Sequence, residues 1–329
     1  MVFLEYLEGT KKIISEKVNM YPKFKNTIFY ISCFIFLANC TAKKNTSSQQ
    51  DSPVSGTISI SVDESFEPVI REQLAMYKLS FPNTTINASY KSEAECLNDF
   101  FTDSLTRMVI VTRGLTENEE KFMTNKLSFN PGWNAMASDA VAIVIPISSV
   151  DSLFTMERLQ LLLSGNEKNA PTVVFDGLSK TSTARFVQDS VLKGKPFDTS
   201  VVRAVKNSNE VLNYIATHNK AIGFVGINRI GNPEDSGQVA MLKKVKLAYI
   251  RCNVCLDKPY VLPSQETIQN HRYPLVRGLY YLIKENYKGL GNGLVSFLKY
   301  ERGQLIFKRA YLGPTMNFMV RNVILNVSS

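Results

Sequence analysis

The segment TVVFDGLSKTSTARFVQDSVL, residues 172–192, joins a strand pattern to a helix pattern. Its first six residues are typical of a buried strand, and ARFVQDSVL is the apolar and basic start of a helix. Between them lie Thr181, Ser182 and Thr183, hydroxyl residues that are unfavourable inside a helix but favoured at its start. These hydroxyls and the nearby Arg185 therefore lie at a helix N-terminus, where backbone N–H groups attract anions.

Strand and helix patterns alternate through most of the chain. Strand-like runs are found at 57–62, 85–90, 107–112, 140–146, 172–177, 221–227 and 245–250. Helix-like runs are found at 66–81, 93–105, 115–127, 155–165, 208–218, 273–286 and 291–313. Alternation of this kind indicates an α/β fold in which helices cover both faces of parallel sheets.

Two of the apolar runs are placed to link separate lobes. Residues 140–146 and the region of 245–250 are interpreted as the crossings between them. We therefore predict two α/β lobes with a ligand cleft between them. Lobe I would comprise residues 56–140 and 248–329, and lobe II residues 141–247.

Three other strand ends carry polar side chains of the same kind. Ser65 and Phe66 follow the first strand, and Ser92 follows the second. Thr112 and Arg113 follow the third strand. Taken singly, a Ser or Thr before a helix is most often an ordinary cap. Several helix starts that converge on one cleft, together with guanidinium groups, would instead bind an oxyanion.

The composition argues against several other classes of function. The 329 residues carry a net charge of +9, but the Lys and Arg residues are scattered, which argues against a nucleic-acid partner. The sequence has no Walker loop, and neither His218 nor His271 lies in a motif that would orient it for catalysis. We therefore predict that the protein is not an enzyme and uses no cofactor or metal.

Residues 1–39 are predicted to be a secretion signal, and we hypothesise that translation starts at Met20. The apolar run NTIFYISCFIFLANC follows two lysines and is too short to span a bilayer comfortably. It ends at Cys40 in a sequence similar to a lipobox, in which the cysteine is acylated. The polar residues 40–55 would then form a lipidated, flexible tether. A single membrane anchor that is never cleaved is the alternative.

Cys252 and Cys255 form a C-x-x-C pair. The prolines that follow would prevent the helix that a thioredoxin-type motif requires after its cysteines. A zinc site would need a second pair of ligands. In an exported chain a small loop disulfide is the favoured interpretation, and a redox protein that uses the pair is an alternative. Cys96 is expected to be buried as a small apolar residue.

The chain resembles the phosphate-binding lipoproteins of ABC transporters, and most of all their divergent branch in Bacteroidetes-type bacteria. The resemblance rests on motifs that occur in the same order: VDESFEPVI, YKSEAECLNDFF, VTRGLTENE, SDAVAIVIP, LLLSG, VVFDGLSKTSTARFVQDSV, KAIGFVGI, YPLVRGLYYL, ERGQLIF and YLGP. It implies the type 2 periplasmic binding protein fold, with an anion held between two lobes.

The resemblance also implies a set of ligand contacts. By position in the family's motifs, the anion would be held by Ser65, Phe66, Ser92, Thr112, Arg113, Thr181, Ser182, Thr183 and Arg185. The aspartate by which the family accepts a proton from hydrogen phosphate is replaced here by Thr112 and Arg113, and the second-lobe turn lacks its glycine. Asp63, Glu64 or Asp139 could supply the acceptor that excludes fully ionised sulfate.

Together these observations predict a lipid-anchored solute-binding protein of the cell envelope that faces the periplasm. It would capture an inorganic oxyanion, with phosphate as the first choice, and deliver it to an ABC permease driven by a partner ATPase. A sensory or structural lipoprotein that keeps the fold without transport is the alternative.

Overall fold

The computed structural model of the protein describes residues 51–178, 180–316 and 318. The predicted signal peptide, Cys40 and the first part of the predicted tether lie outside these residues. Within the described part, no helix is long and apolar enough to cross a membrane.

Strands and helices alternate along most of the described chain. The strands are β1 (Gly56–Asp63), β2 (Thr84–Lys91), β3 (Thr106–Val111), β4 (Gly132–Pro146), β5 (Leu153–Phe154), β6 (Thr172–Phe175), β7 (Val202–Ala204), β8 (Ala221–Gly226), β9 (Val245–Leu247), β10 (Tyr249–Arg251), β11 (Tyr260–Val261), β12 (Val276–Ile283) and β13 (Gly313–Pro314). The helices are α1 (Glu67–Ser80), α2 (Glu93–Thr102), α3 (Glu117–Leu127), α4 (Met156–Leu163), α5 (Ser182–Leu192), α6 (Ser208–Thr217), α7 (Ser236–Met241), α8 (Gln265–Gln269), α9 (Leu290–Lys299) and α10 (Glu301–Arg309).

The long strand β4 connects two halves of one sheet. Its first part pairs with β12 from Gly132 to Ala140, and its second part pairs with β8 from Val141 onward. The strand order is β2-β1-β3-β12-β4-β8-β6-β7, and β9 and β13 also pair with β4. We call β1–β3, β12, α1 and α2 the first half, and β6–β8, α5 and α6 the second half.

The second part of β4 lies in the middle of the core. Val141 to Ile145 are each at most 1% exposed, so both faces of the strand are covered. Helix α6 covers β8 beside it at close range, because a Cβ on Gly223 would lie 2.6 Å from a methyl group of Val211. Continuous apolar runs are the sequence signature of strands buried on both faces.

The α/β class is confirmed, and the expectation of parallel sheets holds for only part of the structure. β1 pairs in parallel with β2 and β3, and β6 pairs in parallel with β7 and β8. β4 and β12 run antiparallel to their neighbours. The C-terminal ends of the parallel strands of each half are followed by the turns that carry the predicted site residues.

The helix predicted at 273–286 is wrong, because residues 276–283 form the central strand β12. Its residues are apolar on both faces, a pattern that a buried helix and a buried strand share. Pairing with β3 on one side and β4 on the other satisfies the backbone hydrogen bonds of these residues, and they therefore form a strand. The single helix predicted at 291–313 is two helices, α9 and α10, that meet at Tyr300 in extended conformation.

The predicted disulfide between Cys252 and Cys255 is present. It closes the loop between β10 and β11, which form a small sheet with β5. Cys96 is a free, buried cysteine, as expected.

Candidate functional site

The end of β1 places two polar side chains in the interior. Asp63 is fully buried, and its Oδ1 accepts a hydrogen bond from the backbone N–H of Ser65 at 3.0 Å. This bond caps the short turn at 64–66 that leads into α1. Ser65, which we predicted as a ligand contact, is itself 1% exposed.

Arg277 and Asp139 lie directly opposite each other on β12 and β4. Arg277 Nε donates to Asp139 Oδ2 at 2.8 Å, and both side chains are at most 1% exposed. Two charges are stable at this depth only when they are paired, because each has lost its water. The guanidinium of Arg277 also lies 5.3 Å from the ring centre of the buried Phe66, where the ring face attracts a cation.

The start of α5 meets this ion pair from the other half. Ser182 is fully buried, and its hydroxyl accepts a hydrogen bond from Arg277 at 3.1 Å. The same hydroxyl lies 3.4 Å from that of Ser65. Thr181 is the N-cap of the helix, and Thr183 is fully buried behind it. The structure therefore brings Ser65, Phe66 and Ser182 together around Arg277.

Asp176 and Gly177, which follow β6, contact the starts of α5 and α6. Gly177 has φ +148°, and a Cβ at this position would lie 2.8 Å from the Thr181 side chain. Asp176, which precedes it, accepts a hydrogen bond from the hydroxyl of Ser208 at 2.9 Å. Burial raises the pKa of Asp176, and the hydrogen bond from Ser208 and the nearby Thr181 hydroxyl oppose that rise. The start of α5 is therefore tied to the start of α6.

The pKa of Asp63 is raised from 3.8 to about 6. Burial is the main cause, and the negative charge of Glu93 adds to it. The positive charge of Arg277, the nearby Ser182 hydroxyl and the hydrogen bond from the Ser65 N–H oppose the rise without cancelling it. Asp63 can therefore change its protonation state at mildly acidic pH.

Several buried polar atoms at or beside this centre have no hydrogen-bond partner among the described residues. They include Oδ2 of Asp63, Oδ1 of Asp139, Oδ1 of Asp176 and Oγ1 of Thr183. Buried polar groups are normally paired, because an unpaired group carries the full cost of its lost hydration. The atoms include acceptors and a donor, so they fit a ligand that both donates and accepts hydrogen bonds.

A second buried cluster links the halves beside the first. Glu93 is 2% exposed, and it accepts hydrogen bonds from the backbone N–H and the hydroxyl of Thr112 at 2.9 and 2.6 Å. Arg185 donates to Glu93 at 2.5 Å and to the Thr112 hydroxyl at 2.9 Å. Burial raises the pKa of Glu93, but the hydrogen bonds and charge of Arg185 outweigh it and leave the pKa below its ordinary value. The carboxylate of Glu93 thus accepts hydrogen bonds from Thr112 and Arg185, two of the residues that were predicted to contact the anion.

Two other predicted contacts are engaged within their own helix starts. Arg113 forms a two-pronged ion pair with Glu119 at 2.7 and 2.8 Å. The hydroxyl of Ser92 donates to Glu95 at 2.6 Å in a capping box. In this structure neither side chain points its donors at the Arg277 centre.

Further contacts cross between the halves at the rim of the centre. Arg229, in the turn after β8, donates to the carbonyl oxygens of Ser65, at 3.1 Å, and of Glu64. The backbone N–H of Ala94 donates to the carbonyl oxygen of Lys180 at 3.2 Å. The two halves are therefore held against each other on both sides of the centre.

Our sequence interpretation missed Arg277 and Glu93. Arg277 is the single charge inside the apolar run YPLVRGLYYL, and a charge in such a run is buried only when it has a partner. That feature could have identified Arg277 as a buried charge. It could not have identified its partner, because Asp139 is 138 positions away. Glu93 gave no signal beyond that of an acidic residue in a first helical turn.

No cluster of His, Cys, Asp and Glu side chains that could hold a metal ion is found within residues 51–178, 180–316 and 318. The polar groups at the centre instead combine hydroxyls, one guanidinium and carboxylates, which is a set suited to hydrogen bonding.

The fold and the site together define a class of protein. The profile of the PBP superfamily domain matches residues 47–301, and the chain therefore belongs to the PBP superfamily. The predicted type 2 periplasmic binding protein fold is confirmed. Membership in this superfamily supports a solute-binding role.

Solved structures share the fold at low sequence identity. One is a candidate phosphate ABC transporter substrate-binding protein from Clostridium perfringens, solved with bound phosphate. It is 16% identical in sequence with a TM-score of 0.63, and the alignment covers 79% of this chain and 100% of that protein's chain. An ABC-type phosphate transport receptor from Vibrio cholerae is 18% identical with a TM-score of 0.60, covering 78% and 99%. The regulatory domain of a LysR family regulator from N. meningitidis is 10% identical with a TM-score of 0.52, and the alignment covers 79% of this chain and 99% of that domain. No protein of curated function matches the sequence.

Proposed function

We propose that this protein is a solute-binding protein that captures an inorganic oxyanion, with phosphate as the first candidate, between its two halves. The observation that carries the proposal is the meeting of Ser65 and Ser182, from opposite halves, at the buried guanidinium of Arg277. Hydroxyl and guanidinium groups are the donors that phosphate oxygens require. Thr181, Thr183 and the first turn of α5 would add further donors.

Asp63 is the acceptor we propose for the proton of hydrogen phosphate. Its Oδ2 is buried without a partner among the described residues, while its Oδ1 accepts from the backbone N–H of Ser65. A ligand that brings a proton can donate it to this oxygen, whereas sulfate would place two negative charges in contact. Asp63 would thus replace the aspartate that is missing at Thr112 and Arg113.

The lobe boundaries are part of this proposal. Lobe I would comprise residues 56–140 and 248–329 and lobe II residues 141–247, with β10 and β11 packed on lobe II through β5. The cross-half bonds of Arg229 and Arg185 would form when the lobes close on the ligand. Their energy would offset the cost of burying the anion.

We further propose that Cys40 carries the lipid, that the protein faces the periplasm, and that it delivers its ligand to an ABC permease with its ATPase. The lipobox-like sequence before Cys40 supports the anchor. The transport receptors with the same fold support the delivery. The protein would perform no chemistry on its ligand.

Calorimetric titration of the full chain in detergent tests the proposal. We expect phosphate to bind and sulfate to bind at least about tenfold more weakly. Ser182→Ala should weaken phosphate about tenfold or more, because it removes a hydrogen bond to a charged group. Thr155→Ala is the matched control: it removes the N-cap hydroxyl of α4 and should leave the affinity unchanged. If the chain binds no oxyanion, the proposal is wrong.

A sensory protein is the second candidate, and two observations favour it. The fold is shared by a LysR-type regulatory domain, and Glu93 already occupies the donors of Thr112 and Arg185. Phosphate uptake by cells that lack this chain separates the two functions. Unchanged uptake, together with phosphate binding by the purified chain, would favour the sensor.

A further inference from the structure

Asn228 lies in the short turn Ile227–Arg229 that follows β8 in the second half. The residue is 3% exposed, and neither Nδ2 nor Oδ1 of its side chain has a hydrogen-bond partner among the described residues. Its backbone is held in place, because its carbonyl oxygen accepts a hydrogen bond from Gln238 Nε2 at 3.0 Å. A buried carboxamide without partners carries the cost of its lost hydration, so it indicates a partner from outside the chain.

The register of the sheet places Asn228 beside the ion pair of the anion centre. β4 and β8 run antiparallel, with Val141 opposite Gly226. Asn228 lies two positions after Gly226, and Asp139 lies two positions before Val141, so the two residues come level with each other. Asp139 is also opposite Arg277 on the other side of β4. Asp139 is therefore flanked by Arg277 on one side and by Asn228 on the other.

Distances around Gly226 confirm that the three side chains are close together. A Cβ on Gly226 would lie 2.9 Å from Asn228 Nδ2, and 3.4 Å from both Asp139 Oδ2 and Arg277 Nη2. The φ of Gly226 is −61°, which any residue adopts, so the glycine is required for space and not for its backbone conformation. Because glycine has no side chain, the carboxamide can lie next to the ion pair.

The topology places Asn228 at the same edge of the sheet as Ser182. β6 and β8 pair in parallel, so the turns that follow them lie at one edge. Ligands of open α/β sheets bind outside the carboxyl ends of the strands. Ser182 follows β6 and accepts a hydrogen bond from Arg277 at 3.1 Å, and Asn228 follows β8. Both residues therefore approach Arg277 from the second half.

Resting on the proposed function, we propose that Asn228 is a further contact of the bound oxyanion. Nδ2 would donate a hydrogen bond to one oxygen of the anion, and Oδ1 would accept one from a hydroxyl group of hydrogen phosphate. Asn228 is not among the contacts that the family's motifs imply. The ligand would then supply both of the partners that the carboxamide lacks.

Calorimetric titration of the full chain with inorganic phosphate, together with urea denaturation of the ligand-free chain, tests this inference. Asn228→Leu replaces the carboxamide by an apolar group with the same branching. Phosphate affinity should fall about tenfold or more, because a hydrogen bond to a charged group is lost. The urea midpoint of the ligand-free variant should not fall, because the replaced group has no partner to lose. A structural residue would instead lower both quantities.

Two further variants serve as checks. Asn228→Ala cannot overpack the site and should weaken phosphate binding to a similar extent. Gln73→Leu is the matched control, because Gln73 is also a fully buried amide but donates to the carbonyl oxygen of Gly303 on α10 at 2.7 Å. It should lower the urea midpoint and leave phosphate affinity unchanged.

Three outcomes would overturn the inference and leave the proposed function intact. They are wild-type phosphate affinity in either Asn228 variant, a lower urea midpoint in Asn228→Leu, and an equal loss of phosphate affinity in Gln73→Leu. If the wild-type chain binds no phosphate, the proposed function itself fails.

Discussion

Arg113 and Arg185 look alike in the sequence and behave differently in the structure. Each follows a strand and lies at or near a helix start, and each was predicted to contact an anion. Arg113 pairs with Glu119, six positions away in its own capping box. Arg185 pairs with Glu93, which is 92 positions away in the other half and is 2% exposed. The first pair stabilises one helix start, and the second holds the two halves together.

The difference shows that the same residue type can serve a local or a long-range role at equivalent junctions. A local pair can form as soon as its helix forms, because Arg113 lies only three residues before Thr116, the N-cap of α3. A cross-half pair requires that both halves are folded and in contact. Each prediction below tests how much more the long-range groups contribute than the local ones.

The largest effect is expected for Arg185→Ala. The variant leaves the Glu93 carboxylate buried without its cation, which costs about 3–5 kcal/mol of unfolding free energy. Urea denaturation of the full chain measures the loss. Glu93→Gln combined with Arg185→Ala should recover part of it, because the remaining amide carries no charge. If Arg185→Ala lowers the free energy of unfolding no more than Arg113→Ala does, the burial of Glu93 adds nothing to its pair with Arg185, whose own side chain is 31% exposed.

The pH dependence of stability should have opposite signs at Asp63 and Glu119. The pKa of Asp63 is raised from 3.8 to about 6, so the folded state holds its proton more tightly and wild-type stability falls as pH rises through this window. Asp63→Asn removes this fall. The stability of the variant relative to the wild type should therefore rise by roughly 2 kcal/mol between about pH 4 and pH 6.

Hydrogen bonds from Arg113 lower the pKa of Glu119 from 4.5 to about 2 despite its partial burial. Its contribution is present above pH 4.5 and is lost as pH falls toward 2. Glu119→Gln should therefore be less stable than the wild type by a constant amount above about pH 5, and this difference should shrink as pH falls below about 5. Denaturation curves at a series of pH values check both variants. A parallel response of the two variants would contradict the assignment of opposite shifts.

The smallest effect is expected for Arg113→Ala. Its side chain is 28% exposed and that of Glu119 is 25% exposed, and pairs that solvent reaches contribute at most about 1 kcal/mol. Phosphate affinity should also stay unchanged, because Arg113 directs its donors to Glu119 and to the carbonyl oxygen of Gly114. Loss of phosphate binding in this variant would show that Arg113 turns toward the ligand after all.

Much of the fold could be predicted from local patterns. The strand runs at 57–62, 107–112 and 172–177 and the helix runs at 93–105 and 115–127 occur close to where the sequence places them. Residues 276–283 could not be assigned in this way, because apolar residues on both faces of the strand leave no apolar–polar alternation to distinguish it from a helix. Its neighbours β3 and β4 lie more than 130 positions earlier, and only pairing with them decides its conformation.

The sequence by itself determined the α/β class, the loop disulfide and the hydroxyl-rich helix start at Thr181, Ser182 and Thr183. These features depend on residues a few positions apart, and local propensity and capping are sufficient for them. Only the tertiary structure decided which donors meet at the centre, because Arg277 is joined to Asp139 and Ser182 by contacts between distant segments. The local sequence determines which polar side chains each helix start carries. Which of them meet at the centre is decided by burial, because a buried polar or charged group must have a partner.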